Sequence, residues 1–391
     1  MTEDSGSYEA AHIEVLEGVE AIRRRPGMYV GSTGGRGLHQ MVCEALGPAV
    51  NAVLAGRAGS VGVVLTADGG VRVEDDGPGV PPDASGPPGV PGIESLLTRT
   101  STGPGPGGRD SVALSLFHLG PCVTNALSRR LTAEVRQEGT RWVQEYVRGV
   151  AVAPPRAAGP ATGSGTSLAF LPDPDVFGAG RPSFGTLAGL LRELAFLNRA
   201  LTLSLTDERT PGEPVVARFR FPGGARDFVA FLDAGTAGAP LPEDVIGFER
   251  EDARMAGTVE VALRWRGSHE GRIRGFANSL PTSGGGVHEE GFRDGVTAAV
   301  DACARRLGLL DAADPCLDAE TVRVGLTAVV SVKLDGPEYL GATRRTLGGA
   351  EVRVCVEGAV RDRLGGWLAA HPGPARELVG GIVRRARRRA R

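Results

Sequence analysis

The sequence predicts an α+β protein built as two domains, and three observations carry that reading. The stretch 37–54 has apolar residues at 38, 41, 42, 46, 49, 50 and 53, the period of a helix with one buried face, and sets a single acid, Glu44, into that uncharged surface. The stretch 61–73 reads as two short strands around the turn Ala67-Asp68-Gly69-Gly70. It runs on into Glu74-Asp75-Asp76-Gly77-Pro78-Gly79, a strand that ends in a glycine turn with an acid at its edge. Finally, 391 residues are enough for two cores of ordinary size. An acid on a helix beside an acid at a strand-to-glycine turn is the skeleton of a nucleotide pocket.

Composition narrows the class. Hydrophobic residues at 41% and charged residues at 23% are those of a globular chain, while 59 glycines and 27 prolines without low-complexity repeats predict long loops rather than disorder. No apolar run approaches the ~18 residues that a membrane span needs, and the N-terminus has no signal-like apolar core, so a cytoplasmic protein with no membrane partner is expected. Five dispersed cysteines without a Cys-x-x-Cys pair read as reduced thiols, not as a metal site. A net charge of -2 does not by itself point to nucleic acid, but six of the last eight residues are arginines. That run reads first as a solvated helix end and second as a phosphate contact.

In chain order, residues 1–12 are polar and aperiodic and form an N-terminal arm. Ile13, Leu16, Val19 and Ile22 mark a short amphipathic helix that ends before Pro26. After the Glu44 helix and the hairpin, 81–109 is rich in Gly and Pro. Strands are expected at 131–135, 141–146 and 166–171, then a helix at 186–196 and a strand at 201–205. Pro211-Gly212-Glu213-Pro214 breaks the pattern, and the domain boundary is placed near 218, giving domains 13–218 and 219–391. The second domain reads as strands at 259–265 and 271–278, a glycine loop 283–286, a helix through 292–309 and a strand at 327–333.

Several motifs in this order carry a resemblance. Arg25-Pro26-Gly27-Met28-Tyr29-Val30-Gly31-Ser32, the helix of Glu44, Asp75-Asp76-Gly77-Pro78-Gly79, Asn125-Ala126-Leu127-Ser128, Gly165-Thr166 and His288-Glu289-Glu290-Gly291-Phe292 together resemble the N-terminal region of the DNA gyrase B subunit, a type II topoisomerase component. The resemblance runs from about residue 8 to the last residue. It implies a two-layer GHKL (Bergerat-type) ATPase-like domain followed by a ribosomal-S5-like transducer domain, with the chain stopping before the family's DNA-cleavage domain. It also implies a dimer in which the arm crosses to the partner subunit and Tyr8 reaches the partner's nucleotide.

Residue by residue, the resemblance assigns Glu44 as the base that activates water for attack on the γ-phosphate of ATP. Asp75 would accept the adenine amino group, Gly77 and Gly79 would shape the turn beneath the base, and Thr166 would hold a bridging water. The position four residues after Glu44, an asparagine that holds Mg²⁺ in the family, is Pro48 here, with Gly47 where the family has aspartate and Gln40 where it has a supporting histidine. Proline offers no side-chain oxygen, although Mg²⁺ demands near-octahedral oxygen coordination. It also removes a helical hydrogen bond and crowds the carbonyl of residue 44, which is expected to kink the helix there.

The family's phosphate-cradling Gly-Gly-Leu-His-Gly-Val-Gly corresponds to Leu114-Ser115-Leu116-Phe117-His118-Leu119-Gly120, where only Gly120 is kept. Close approach of phosphate to backbone N–H groups needs glycine, so this stretch is expected to pack as a core helix instead. The family's Gln-Thr-Lys loop corresponds to Ala342-Thr343-Arg344. There the cation persists, but as a planar fork rather than a point charge.

The residues therefore predict a gyrase B-like protein with a degenerate nucleotide site. ATP binding is weakened or lost, Mg²⁺ binding is lost, and the protein works by association, as a homodimer or with a gyrase subunit. Two other readings stand beside it: an active ATP-hydrolysing topoisomerase subunit, and a DNA-binding clamp that uses the arginine-rich C-terminus.

Overall fold

The computed structural model describes residues 18–82, 92–100, 109, 111–112, 114, 119–267, 271–341 and 344–389. Tyr8, Ala342, Thr343 and residues 115–118 lie outside them.

The helix Gly35–Leu54 buries every apolar position that its period predicts, from Leu38 to Val53. Pro48 stands inside it, and the expected disturbance does not end the helix, which continues six residues further. Packing of the apolar face supplies most of a protein helix's stability and here outweighs one missing backbone bond.

The hairpin is formed as the sequence predicts, with Val61–Leu65 antiparallel to Val71–Asp75 and Val63 opposite Val73. It sits inside a nine-stranded sheet. From one edge the order is Val150–Ala151, Thr140–Val147, Ser128–Gln137, Gly165–Pro172, Val71–Asp75, Val61–Leu65, Leu203–Asp207 and Val215–Phe219, with Arg156–Pro160 also pairing with Thr140–Val147. The helices Gly35–Leu54, Pro121–Ala126 and Phe184–Leu197 share one apolar core with these strands. Sheet and helices are thus two layers of an α+β fold.

A second sheet runs Pro240–Asp252, Gly257–Arg266, Leu326–Leu334, Arg272–Ala277 and Leu280–Pro281. Arg272–Ala277 and Leu326–Leu334 are parallel, so the chain between them must cross over, and the helix Val287–Arg306 lies in that connection. Gly291 and Gly295 let this helix pack against Ala350–Ala370: an added Cβ would meet the Arg353 carbonyl oxygen at 2.3 Å and the Glu357 carbonyl oxygen at 2.6 Å.

The two sheets meet through an aromatic cluster. Phe196, from the end of the helix Phe184–Leu197, stacks on Phe228 with ring centres 4.6 Å apart, and Phe228 lies against Phe276 of the second sheet. Lys333, the chain's one lysine, donates to Asn198 Oδ1 at 3.0 Å, and Asn198 Nδ2 donates to Ser279 Oγ. At the C-terminus, Arg385 and Arg387 of the helix Pro372–Arg389 donate to the carbonyls of Val324 and Leu309. Part of the arginine run is therefore tied to the fold rather than free in solvent.

The His288 motif begins the crossover helix. His288 is fully buried and pairs with Thr282 Oγ1 at 3.1 Å. Burial, reinforced by the charge of Arg293, lowers its pKa from 6.5 to about 4. Between those values the unfolded chain binds a proton that the folded chain refuses, so this contribution to stability is complete above pH 6.5 and is lost as the pH falls towards 4. Over that window wild type should lose on the order of 3 kcal/mol more than His288→Gln. Urea titrations of both proteins at several pH values measure this; equal slopes against pH would contradict it.

Candidate functional site

Glu44 is 3% exposed, and its Oε2 accepts the backbone N–H of Gly120 at 2.9 Å. Gly120, at φ 80°, caps the short helix Pro121–Ala126. One of the two Glu44 carboxylate oxygens, Oε2, is thus engaged in holding the start of that helix against the Glu44 helix. The carboxylate also leaves a mark on its neighbours: burial, with the charge of Glu44 second, pushes the thiols of both Cys43 and Cys122 up to about 12, which leaves them unreactive.

Two turns further along, Asn51 holds a second point of the chain. Its Oδ1 accepts from the Val112 amide at 2.8 Å and its Nδ2 donates to the Val112 carbonyl at 3.2 Å. The carboxamide thus copies a strand partner and uses both of its ends. Sequence reasoning missed this residue, although its place seven positions after Glu44, on the same helical face, was a signal. Between the two stands Pro48, without a ligand atom. On the turn before Glu44, Gln40 Nε2 is buried and has no hydrogen-bond partner among the described residues.

The helix Gly35–Leu54 packs on the strand Val71–Asp75, whose last residue starts the glycine turn. Asp75 Oδ1 accepts from Gly77 N at 2.9 Å. Burial pushes the Asp75 carboxyl above its ordinary value, against the opposing amides of Gly77 and Thr166. Thr166 Oγ1 accepts from Val80 N at 3.1 Å and so ties the far side of the turn to the neighbouring strand.

The glycines here are required by close backbone packing. A Cβ on Gly79, at φ 81°, would lie 2.9 Å from the Arg136 carbonyl oxygen, and one on Gly165, at φ 148°, would lie 2.1 Å from the Asp75 carbonyl oxygen. The structure thus joins Asp75, Gly77, Gly79 and Thr166 in one turn, and Glu44 with Gly120 in another contact.

Leu114 and Leu119 pack against the first core, but Leu119 and Gly120 precede the helix that was expected to include them, which begins at Pro121. Proline at the first helical position favours that start, because its missing N–H has no helical partner to lose. Arg344 lies at φ 51° with its guanidinium 6.0 Å from the ring centre of Tyr339.

The position four residues after Glu44 offers a metal ion no side-chain ligand, because it is Pro48. Among the described residues no group of three or more His, Cys, Asp or Glu side chains converges. Near Pro48 the carboxylate of Glu44 is bonded to Gly120, and both ends of the Asn51 carboxamide are bonded to Val112. The adenine side is different in kind, since Asp75 is a half-buried carboxylate at an open strand end, the chemistry that an exocyclic amine would meet.

Comparison with known proteins places these features. A family model described as DNA gyrase B matches residues 224–391. The chain is 40% identical to the novobiocin-sensitive DNA gyrase B protein of Streptomyces niveus, over 96% of this chain and 58% of that protein. It is 38% identical to the DNA gyrase B protein of Streptomyces coelicolor, over 96% of this chain and 57% of the relative. The chain thus spans under two thirds of the length of these curated relatives.

Among solved structures, the 43K ATPase domain of Thermus thermophilus gyrase B, crystallised with an aminocoumarin, superposes with a TM-score of 0.79 at 32% identity. That match covers 96% of this chain and 97% of the other. The topoisomerase IV ATP-binding domain of Francisella tularensis, in complex with a small-molecule inhibitor, gives a TM-score of 0.75 at 26% identity, over 96% of this chain and 99% of the other. The fold is the GHKL type.

The Asn51 clamp makes a direct prediction. Asn51→Ala removes both hydrogen bonds to Val112 and should lower stability by about 1–3 kcal/mol. Chemical denaturation measures it, and an unchanged midpoint would show that the clamp contributes nothing.

Proposed function

The chain belongs to the DNA gyrase B family, and from that premise we propose that it is a degenerate member, hydrolysing ATP weakly or not at all and working by association. Its partner is a second copy of itself or a gyrase subunit. The observation that carries this reading is how the site's donors are used. Pro48 has no ligand oxygen, Glu44 holds the Gly120 amide and Asn51 holds Val112. A general base must reach the water whose proton it takes, and a carboxylate that is 3% exposed, with Oε2 accepting from Gly120, has little access to solvent. Asp75 and its turn leave room for adenine recognition without hydrolysis.

Association is supported by what the chain keeps. The His288-Glu289-Glu290-Gly291-Phe292 motif is retained, with His288 and Phe292 buried at the start of the crossover helix.

Two measurements test the proposal. Phosphate release from ATP should stay at background with and without Mg²⁺, whereas a Mg²⁺-dependent rate that Glu44→Gln abolishes would overturn the loss of hydrolysis. Sedimentation of the full chain, alone and mixed with an N-terminal gyrase B fragment, should show a complex; a monomer in both would overturn association.

A further inference from the structure

One corner of the first sheet has a surface chemistry that the nucleotide site does not use. Along Ser128–Gln137 the pairing with Gly165–Pro172 steps from Ser128 opposite Pro172 to Arg130 opposite Leu171, so Arg129 is the extra residue of a β-bulge. Successive strand residues normally point to opposite faces, and a bulge breaks that alternation. Here two consecutive arginines are both exposed.

The register then assigns the faces. Leu131 stands opposite Tyr146 and Phe170, all three buried in the core. Arg130 and Leu171 therefore stand on the other face, as does Val147. Val147 pairs with Val150 across the turn at Arg148 and Gly149. Val147, Val150 and Val152 are 49%, 64% and 62% exposed. Arg129, Arg130, Val147, Arg148 and Leu171 line a cavity of about 580 Å³. Arg148 is ion-paired with Asp173 and Asp175. Arg129 and Arg130 make no ion pair among the described residues.

We propose that this cavity binds an acidic, extended segment of a partner protein. Its carboxylates meet Arg129 and Arg130, and an apolar side chain covers Val147 and Leu171. The lining comes from three neighbouring strands, Ser128–Gln137, Thr140–Val147 and Gly165–Pro172, and the residue after the second, so the segment lies across the outer face of the sheet. Charge selects this occupant, because two exposed arginines that make no ion pair among the described residues, Arg130 sensed only through space by Asp68, favour carboxylates in planar, paired hydrogen bonds. The apolar floor selects it over nucleic acid: the lining holds no aromatic side chain on which a base would stack, and valine and leucine offer a phosphate backbone nothing.

The test uses the full chain and fluorescence anisotropy with a labelled heptapeptide of alternating glutamate and valine, its glutamine counterpart, and a DNA duplex of about 20 base pairs. The acidic peptide should bind at least about tenfold more tightly than the glutamine peptide. Both Arg129→Glu with Arg130→Glu and, separately, Val147→Ser should weaken it, the charge reversal by about tenfold or more. All these positions are exposed, so thermal unfolding should be unchanged. Equal binding of the two peptides, binding indifferent to both variants, or tighter binding of the duplex that the charge reversal abolishes would each overturn the proposal.

Discussion

A carboxylate taken out of water must find a donor, and in this protein the donor for Glu44 is the chain itself. Its bond to the Gly120 amide fixes where the helix Pro121–Ala126 begins, and the strand Ser128–Gln137 follows two residues after that helix ends. Thr124 Oγ1 repeats the attachment from the other side by donating to the Met41 carbonyl. Asn51 extends it by two helical turns to Val112. These bonds tie the Glu44 helix to two other points of the chain, and they engage Glu44 Oε2 and both ends of the Asn51 carboxamide.

The second half is joined to this frame by contacts of another kind. Phe196, Phe228 and Phe276 carry an apolar seam from the helix Phe184–Leu197 into the second sheet. Asn198, two residues after Phe196, adds hydrogen bonds to Lys333 and Ser279, and Arg274 pairs with Glu193 at 2.9 Å. Any displacement of that helix is therefore felt by both sheets. The Asp75 turn is coupled more locally, through Thr166 and through Gly165, which lies against the Asp75 carbonyl.

Local periodicity made much of this legible. The Glu44 helix, the hairpin at 61–75 and the strands around 131, 141, 166, 259 and 327 follow from apolar spacing alone, because each buries one face. What the sequence hid depends on pairing across long separations. Asn51 meets a residue 61 positions away, and Asp173, fully buried, meets Arg23 from 150 positions away. The bulge at Arg129 is invisible without its partner strand. The glycines of the Asp75 turn could be read for nucleotide or for fold; the close carbonyls at Gly79 and Gly165 give fold a sufficient reason. Proline at 48 signalled a disturbed helix, yet the apolar face around it keeps the helix intact.

Whether the nucleotide site still takes Mg²⁺ turns on Pro48, which offers no side-chain oxygen, and on Glu44 Oε2, which accepts from the Gly120 amide. Isothermal titration with a non-hydrolysable ATP analogue, with and without Mg²⁺, addresses it most directly. A degenerate site gives weak or undetectable heat that Mg²⁺ does not change. Binding that tightens when Mg²⁺ is added would contradict that reading, because it would require a metal site despite the proline at position 48.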